Sequence, residues 1–274
     1  MMTAPFDEAG FRTLTQKIAK ERGFGCANYK DGCLRRRIAV RMRARGMATY
    51  DDYRALLERD AHEWDLLLDA LTVNVTKLYR DAEAWNVLAN TAIPAIWDLD
   101  QPRLTVWSAG CSSGEELYTL AALFHRHAER TASLTGLRRL RIIGSDIDRA
   151  SLEAARTGAY GEAAFSEMPA DLRARYFSRE APHRASAELR DLIEVEKRDL
   201  LLDPPPQTEM QMITCRNVVI YFDRPSQVPL MQKFREAIAP GGYLLLGKVE
   251  TLLGETRGLF EVVDARQRLF RRSA

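Results

Sequence analysis

At 274 residues, with 46% apolar and 28% charged side chains, the chain is long enough for one large α/β domain plus a small accessory domain; this balance excludes a disordered or low-complexity protein. A formal net charge of +2 gives no bulk reason to bind nucleic acid or a membrane. No apolar run approaches the ~18 residues of a membrane span, and the opening MMTAPFDEAG has no signal-peptide pattern, so cytoplasmic residence without membrane insertion is expected. Cys26, Cys33, Cys111 and Cys215 lack CxxC spacing, and the four histidines form no ligand pair with them. Neither a metal site nor a disulfide framework is expected.

From Phe6 to about Leu71 the periodicity is helical: Phe11, Leu14 and Ile18 share a face, then Leu34, Ile38 and Met42, then Tyr53, Leu56 and Leu57. Asn28, Thr49 and Asp51 are suited to start helices. Residues 1–72 therefore read as a small helical domain. Residues 73–103 read as a junction, with a helix from Trp85 to Trp97 interrupted at Pro94. Short apolar runs then alternate with helical stretches: Leu104–Ser108, Leu140–Ser145, Met210–Cys215 and Tyr243–Gly247. That alternation predicts a parallel sheet covered by helices, an α/β, Rossmann-like domain over 104–274. A closing antiparallel pair is expected at Phe260–Val263 and Arg268–Arg271. Residues 159–202 read as an inserted subdomain, a small β insertion with hairpin character, helical at Glu167–Tyr176 and strand-like at Leu192–Glu196.

The run Leu104–Ser108 is followed by the small-residue loop Ala109-Gly-Cys-Ser-Ser-Gly114 and by Glu115-Glu116-Leu117, which opens a helix. Strand, loop and helix in this order form the ligand corner of an open α/β sheet. Gly110 and Gly114 allow a tight turn and close approach. A phosphate-binding corner exposes helix N–H groups, often with a lysine. Here two carboxylates stand in that place, which suits a ligand bearing an ammonium or sulfonium; S-adenosylmethionine carries both. The alternative is that the acids only complement the helix dipole. Asp146, ending the second run, is placed to accept from ribose hydroxyls, which points to a nucleoside and is equally compatible with a nicotinamide cofactor. Asp148 is expected to cap the next helix.

Six segments in order resemble the CheR-type chemotaxis receptor methyltransferases. They are Asn74-Val-Thr-Lys-Leu-Tyr-Arg80, Trp107-Ser-Ala-Gly-Cys-Ser-Ser-Gly-Glu-Glu116, Ser145-Asp-Ile-Asp148, Asp199-Leu-Leu201, Cys215-Arg-Asn-Val-Val-Ile-Tyr-Phe222 and Pro240-Gly-Gly-Tyr-Leu-Leu-Leu-Gly247. The resemblance spans nearly the whole chain. It implies S-adenosylmethionine-dependent O-methylation of glutamate side chains on the cytoplasmic helical domain of chemoreceptors, releasing S-adenosylhomocysteine. It further implies that Asn74, Thr76, Arg80, Gly110, Glu116, Asp146, Asp199, Leu200, Arg216 and Asn217 line the cofactor site. Arg80 and Tyr221 are implied next to the reacting methyl and the substrate carboxylate. The sequence departs from the family pattern at Leu78-Tyr79, at Asp199 (usually Asn), at Leu117 (often Pro) and at Gly247-Lys-Val-Glu250 (usually a His-Ser pattern).

Such a reaction needs no general base, because a glutamate carboxylate with a pKa of about 4.3 is already ionised near neutral pH. The histidines agree: His62 and His183 lie outside the motifs, and His125 and His127 are expected on the outer side of their helix. Arg35, Arg36, Arg37, Arg41, Arg43 and Arg45 crowd a stretch without acids. By composition they are either a solvated face or a docking face for an acidic partner; the resemblance favours docking of a glutamate-rich receptor helix. In some relatives the inserted segment grips a receptor tail peptide. Here it is short, with no glycine in Glu180-Ala-Pro-His-Arg-Ala-Ser186, so independence of such a tether is expected. Two alternatives are a methyltransferase acting on another acceptor, and a cofactor-binding signalling module with weak turnover. A monomer is the simplest assembly.

Overall fold

The computed structural model describes residues 7–72 and 76–273. The chain divides into two compact units, Met1–Val73 with Tyr221–Ser226, and Asn74–Ile220 with Gln227–Ala274.

The first unit contains α1 (Glu8–Arg22), α2 (Asp31–Ala44), α3 (Tyr50–Arg59) and α4 (Ala61–Leu71). Asp7 caps α1 by accepting from the Gly10 N–H at 2.8 Å, and Thr49 caps α3 by accepting from Asp52 at 3.1 Å. The three expected apolar faces are all buried and are joined by Trp64, Leu67 and Leu71 of α4. Tyr221–Ser226 returns to this unit: the Lys30 N–H donates to the Tyr221 carbonyl at 2.9 Å, and Tyr29 bridges to Phe222.

The second unit opens with α5 (Ala82–Asn90) and α6 (Ala92–Trp97). The helix break falls at Thr91 rather than Pro94. Pro94 stands in the first turn of α6, where its missing N–H costs no intrahelical bond. Leu78, Tyr79, Trp85, Leu88, Ile93 and Trp97 share one core with the sheet, so this stretch is part of the α/β unit. There follow β1 (Leu104–Ala109), α7 (Glu115–Arg130), β2 (Leu140–Asp146), α8 (Arg149–Thr157), β3 (Ala159–Tyr160), α9 (Ala170–Tyr176), β4 (His183–Arg184), α10 (Ala187–Arg190), β5 (Ile193–Lys197), β6 (Met210–Cys215), α11 (Arg224–Ala237), β7 (Ile238–Leu246), β8 (Glu261–Asp264) and β9 (Leu269–Arg271).

Seven strands form one sheet in the order β5-β2-β1-β6-β7-β9-β8. The first five are parallel; β9 and β8 add the antiparallel edge. All residues of β1 and β6 are buried, as expected for central strands with helices on both faces. The strand-like run Leu192–Glu196 is not a hairpin of the insertion. It supplies β5, which pairs with β2 from Ile142 opposite Ile193 to Asp146 opposite Lys197. Within the insertion, β3 and β4 form a two-residue antiparallel pair, and Phe177 bridges to Ala185. His125 is buried against Tyr176 rather than outward, with Nδ1 3.1 Å from the tyrosine hydroxyl. No helix among the described residues is long and apolar enough to cross a membrane.

Candidate active site

From β1 the chain moves outward to β2 and β5, then returns to β6 on the other side of β1. The carboxyl ends of β1 and β6 thus flank a topological switch point, where open α/β sheets hold ligands. Ser108 and Thr214 stand opposite each other in register there. Their hydroxyls donate to Glu116 Oε1 at 2.8 and 2.5 Å. Arg216, one residue beyond β6, places Nη1 at 3.4 Å from Glu116 Oε2. Its Nη2 donates to Asp81 Oδ2 and to the Arg80 carbonyl, both at 2.8 Å.

The Arg216 side chain is 3% exposed and lies 4.7 Å over the Trp85 ring, whose Nε1–H also donates to the Arg80 carbonyl at 2.7 Å. Tyr79 and Asp81, on either side of Arg80, both take left-handed backbone angles, φ 61° and 60°. The Tyr79 N–H donates to Thr119 Oγ1 of α7 at 2.9 Å. The main chain at Arg80 is therefore fixed from α7, α5 and the end of β6. One guanidinium sits between two carboxylates, Glu116 and Asp81, so the cluster retains a formal negative charge for a cationic group to meet.

The small-residue loop is fastened to β2: the Gly110 and Cys111 N–H groups donate to the Ser145 carbonyl at 2.8 and 2.9 Å. Gly110 has φ +83°, and a Cβ there would lie 2.5 Å from Val218 Cγ2, so only glycine fits. Asp146 Oδ2 accepts the Ser112 N–H at 2.8 Å and Oδ1 accepts that of Asp148 at 3.0 Å. Burial holds this carboxyl above the ordinary aspartate range, against the Asp148 and Ser112 N–H groups, which favour its ionised form. Asp148 caps α8 as expected, accepting from Ala150 at 2.9 Å.

The two adjacent acids differ in place. Glu116 lies at the strand ends, whereas Glu115 is enclosed, bonded to Ser113 Oγ at 2.8 Å, and burial raises its pKa. Asp199 Oδ1 accepts the Leu201 and Leu202 N–H groups at 2.8 and 3.2 Å, a turn-capping task that needs an acceptor alone. Leu200 is buried beside it, and its carbonyl accepts from Lys233 Nζ at 2.8 Å; the same ammonium also donates to the carbonyls of Leu201 and Asp203. Asn217 is left-handed, φ 61°. Thr76 is half-buried, and Asn74 lies outside the described residues.

In the helical unit, Tyr221 is half-buried with the Arg37 guanidinium 4.9 Å over its ring. The six arginines are not equivalent. Arg41 forks onto Glu63 at 3.0 and 2.7 Å, and Arg45 bonds Glu63 and Asp60, each at 2.9 Å. Glu63 is fully buried and also accepts from Tyr53 at 2.7 Å. Arg37 donates to the Ala70 and Leu71 carbonyls, and Arg35 pairs with Glu8 over the Phe11 ring. Arg36 and Arg43 are exposed and aligned two turns apart, with the exposed Val40 between them.

Sequence reasoning missed Ser108, Thr214, Asp81, Trp85, Lys233 and Glu250. A hydroxyl residue ending an apolar strand run was the available signal for the first two; the others depend on contacts distant in the chain. No cluster of His, Cys, Asp and Glu among the described residues is arranged to hold a metal.

The CheR methyltransferase all-alpha domain matches residues 9–72, and the CheR methyltransferase SAM binding domain matches residues 74–269. The chemotaxis protein methyltransferase of Klebsiella aerogenes is 33% identical over 93% of this chain and 88% of its own length. That of Escherichia coli is 32% identical over 89% of this chain and 84% of its own length. A 104.1 kDa uncharacterized protein of Rhodobacter capsulatus is 34% identical over 89% of this chain, which spans 25% of that protein. These matches account for the acidic switch point and the helical unit together: the chain belongs to the CheR family of S-adenosylmethionine-dependent methyltransferases.

Proposed function

We propose that this enzyme methylates glutamate side chains on the cytoplasmic helical domain of chemoreceptor-type proteins. The products are glutamyl methyl esters and S-adenosylhomocysteine. The reading rests most on the excess of carboxylate over guanidinium at Glu116, Asp81 and Arg216, together with the relatives named chemotaxis protein methyltransferase.

The residues present suit S-adenosylmethionine. Glu116 offers charge to its ammonium, and Asp146 offers a carboxylate to its ribose hydroxyls. Asp199 and Leu200 form a fixed turn for its adenine end, with Thr76, Asn217 and Asn74 completing the proposed lining. When bound, the cofactor would supply an electrophilic sulfonium methyl to the carboxylate oxygen, the C–O bond forming as the C–S bond breaks and S-adenosylhomocysteine leaves as the thioether. The chain's own contribution is alignment, and correct positioning contributes on the order of 7–11 kcal/mol in favourable cases. Arg80 and Tyr221 are the groups proposed to orient the incoming carboxylate by hydrogen bonds. Tight ion pairing would blunt the nucleophile, so the role proposed for them is orientation rather than a closed bidentate pair. Among the arginines, Arg36 and Arg43 are the proposed contacts for the acidic receptor helix; Arg41 and Arg45 reach it only by giving up internal partners.

Incubation with a receptor cytoplasmic fragment and methyl-labelled S-adenosylmethionine tests this. Label released as methanol by mild base is expected, and Arg80→Ala should lower turnover at least about 100-fold with the fold retained. Base-stable label, or transfer only to other acceptors, contradicts the proposal.

A further inference from the structure

Beyond β7 the chain turns through Gly247-Lys-Val-Glu250, the stretch that departs from the family pattern. Lys248 and Val249 face solvent, Val249 with 73% exposure. Glu250 turns inward and is 3% exposed. Its bonds run to main-chain N–H groups: Oε2 accepts from Gly247 at 2.7 Å and from Asn217 at 3.0 Å, and Oε1 accepts from Ile220 at 3.2 Å. Burial raises this carboxyl above the ordinary glutamate range, while the N–H groups of Gly247, Asn217 and Ile220 favour its ionised form. Hydrogen bonds to an ionised acceptor are about twice as strong as neutral ones, so the buried charge gains its stabilisation from these donors.

The Asn217 and Ile220 donors belong to the segment that follows β6. Asn217 holds a left-handed conformation that costs most L-residues roughly 1–2 kcal/mol and that asparagine tolerates better. At Gly247 a Cβ would stand 2.8 Å from Glu250 Oε2 and 2.9 Å from the Asn217 nitrogen, so the carboxylate and the segment are packed against bare backbone. The carboxylate, the glycine and the left-handed asparagine together join the ends of β6 and β7. Arg216, immediately before, has its own supports in Glu116, Asp81 and Trp85.

We propose that Glu250 is a positioning residue of this methyltransferase: it fixes the main chain of Asn217–Ile220, and so the approach to Tyr221, for the acceptor side of the reaction. The proposal rests on the glutamate-methylation reading above. It predicts an unequal loss: cofactor binding, to which Asn217 contributes as one of several proposed lining residues, weakens only modestly, while transfer to the receptor falls far more.

The test uses the full chain with Glu250→Gln, and Glu250→Asp as a second variant that keeps the charge. An amide has one acceptor oxygen, so its NH2 must confront at least one of the three N–H donors. For Glu250→Gln, kcat for a receptor fragment should fall about 10- to 100-fold. S-adenosylhomocysteine affinity should stay within about threefold, and amide hydrogen exchange across residues 216–222 should quicken about 10-fold. Glu250→Asp should fall between, and it carries the same comparison if the glutamine variant does not fold. Wild-type kcat, unchanged exchange in that segment, or a loss of cofactor binding in step with activity would each overturn the proposal. If the wild-type enzyme itself leaves receptor fragments unmethylated, the substrate reading fails, and the exchange measurement still decides the role of Glu250.

Discussion

Replacing Glu116 by glutamine removes one charge from the switch point while leaving most of its bonds. The amide oxygen can still accept from Ser108 and Thr214, which now reach Glu116 Oε1 at 2.8 and 2.5 Å. The amide NH2 would face Arg216 Nη1 across the present 3.4 Å, a donor against a donor, but Arg216 keeps Asp81 at 2.8 Å. A structural cost of about 1 kcal/mol follows, or a Tm lower by about 2–4 °C for a unit of this size. The functional cost is larger. With Glu116 neutral, Asp81 and Arg216 balance each other and no net charge remains for an ammonium. A hydrogen bond to a charged group contributes about 1.5–3 kcal/mol, so affinity for S-adenosylhomocysteine, which keeps that ammonium, should weaken about 10- to 150-fold. Titration calorimetry on wild type and variant reads this directly. Affinity within about twofold of wild type would refute the assignment of Glu116 to the cationic group.

The helical unit supplies further tests. Glu63→Ala strands the Arg41 guanidinium and the Tyr53 hydroxyl around a fully buried site and should cost about 3–5 kcal/mol by chemical denaturation. Burial pushes the Glu63 pKa up, but hydrogen bonds from Arg41 and Tyr53 and the charge of Arg45 outweigh it, so the folded value lies below the unfolded one. Its stabilisation is thus complete above about pH 4.5 and lost as pH falls further; the gap between wild type and Glu63→Ala should narrow from pH 5 toward pH 3. Charge reversal at Arg36 and Arg43 should slow receptor methylation about 10-fold or more at low salt, with Tm and cofactor affinity unchanged, whereas Arg41→Glu should lower Tm. A salt-insensitive methylation rate would remove the docking role. Receptor tail peptide titrated into the enzyme should give no binding heat, because the β structure of the insertion is limited to the two-residue β3–β4 pair and the Phe177–Ala185 bridge; saturable binding would contradict this.

The periodic parts of this fold were legible because burial follows local spacing. Leu34, Ile38 and Met42 share one helical face, and Leu104–Ser108 is a short apolar run followed by Ala109-Gly110; both became buried elements where expected. The strand–loop–helix corner was legible for the same reason, since its three parts are contiguous in the chain. Long-range pairing was not. Nothing local separates Arg41 from Arg43, yet one is committed to Glu63, 22 residues away, and the other faces solvent. Adjacent Glu115 and Glu116 looked alike, but successive helical positions point about 100° apart, and only Glu116 reaches the hydroxyls of Ser108 and Thr214. Leu192–Glu196 had strand character that fitted a hairpin; its partner proved to be β2, a choice set by the whole sheet. Glu250 read only as part of a departure from pattern, because its partners are main-chain N–H groups that carry no side-chain signature.

The central claim is that a cluster with surplus carboxylate, at the carboxyl ends of the central strands, presents a methyl donor to a side-chain carboxylate. Mass-spectrometric mapping of a receptor fragment after incubation with the enzyme and S-adenosylmethionine tests it most directly. The account predicts a single added methyl per modified site, on glutamates, lost under mild base and absent when those glutamates are replaced by alanine. Methyl groups found on lysine, arginine or the cofactor-binding protein itself, with the receptor glutamates untouched, would contradict it.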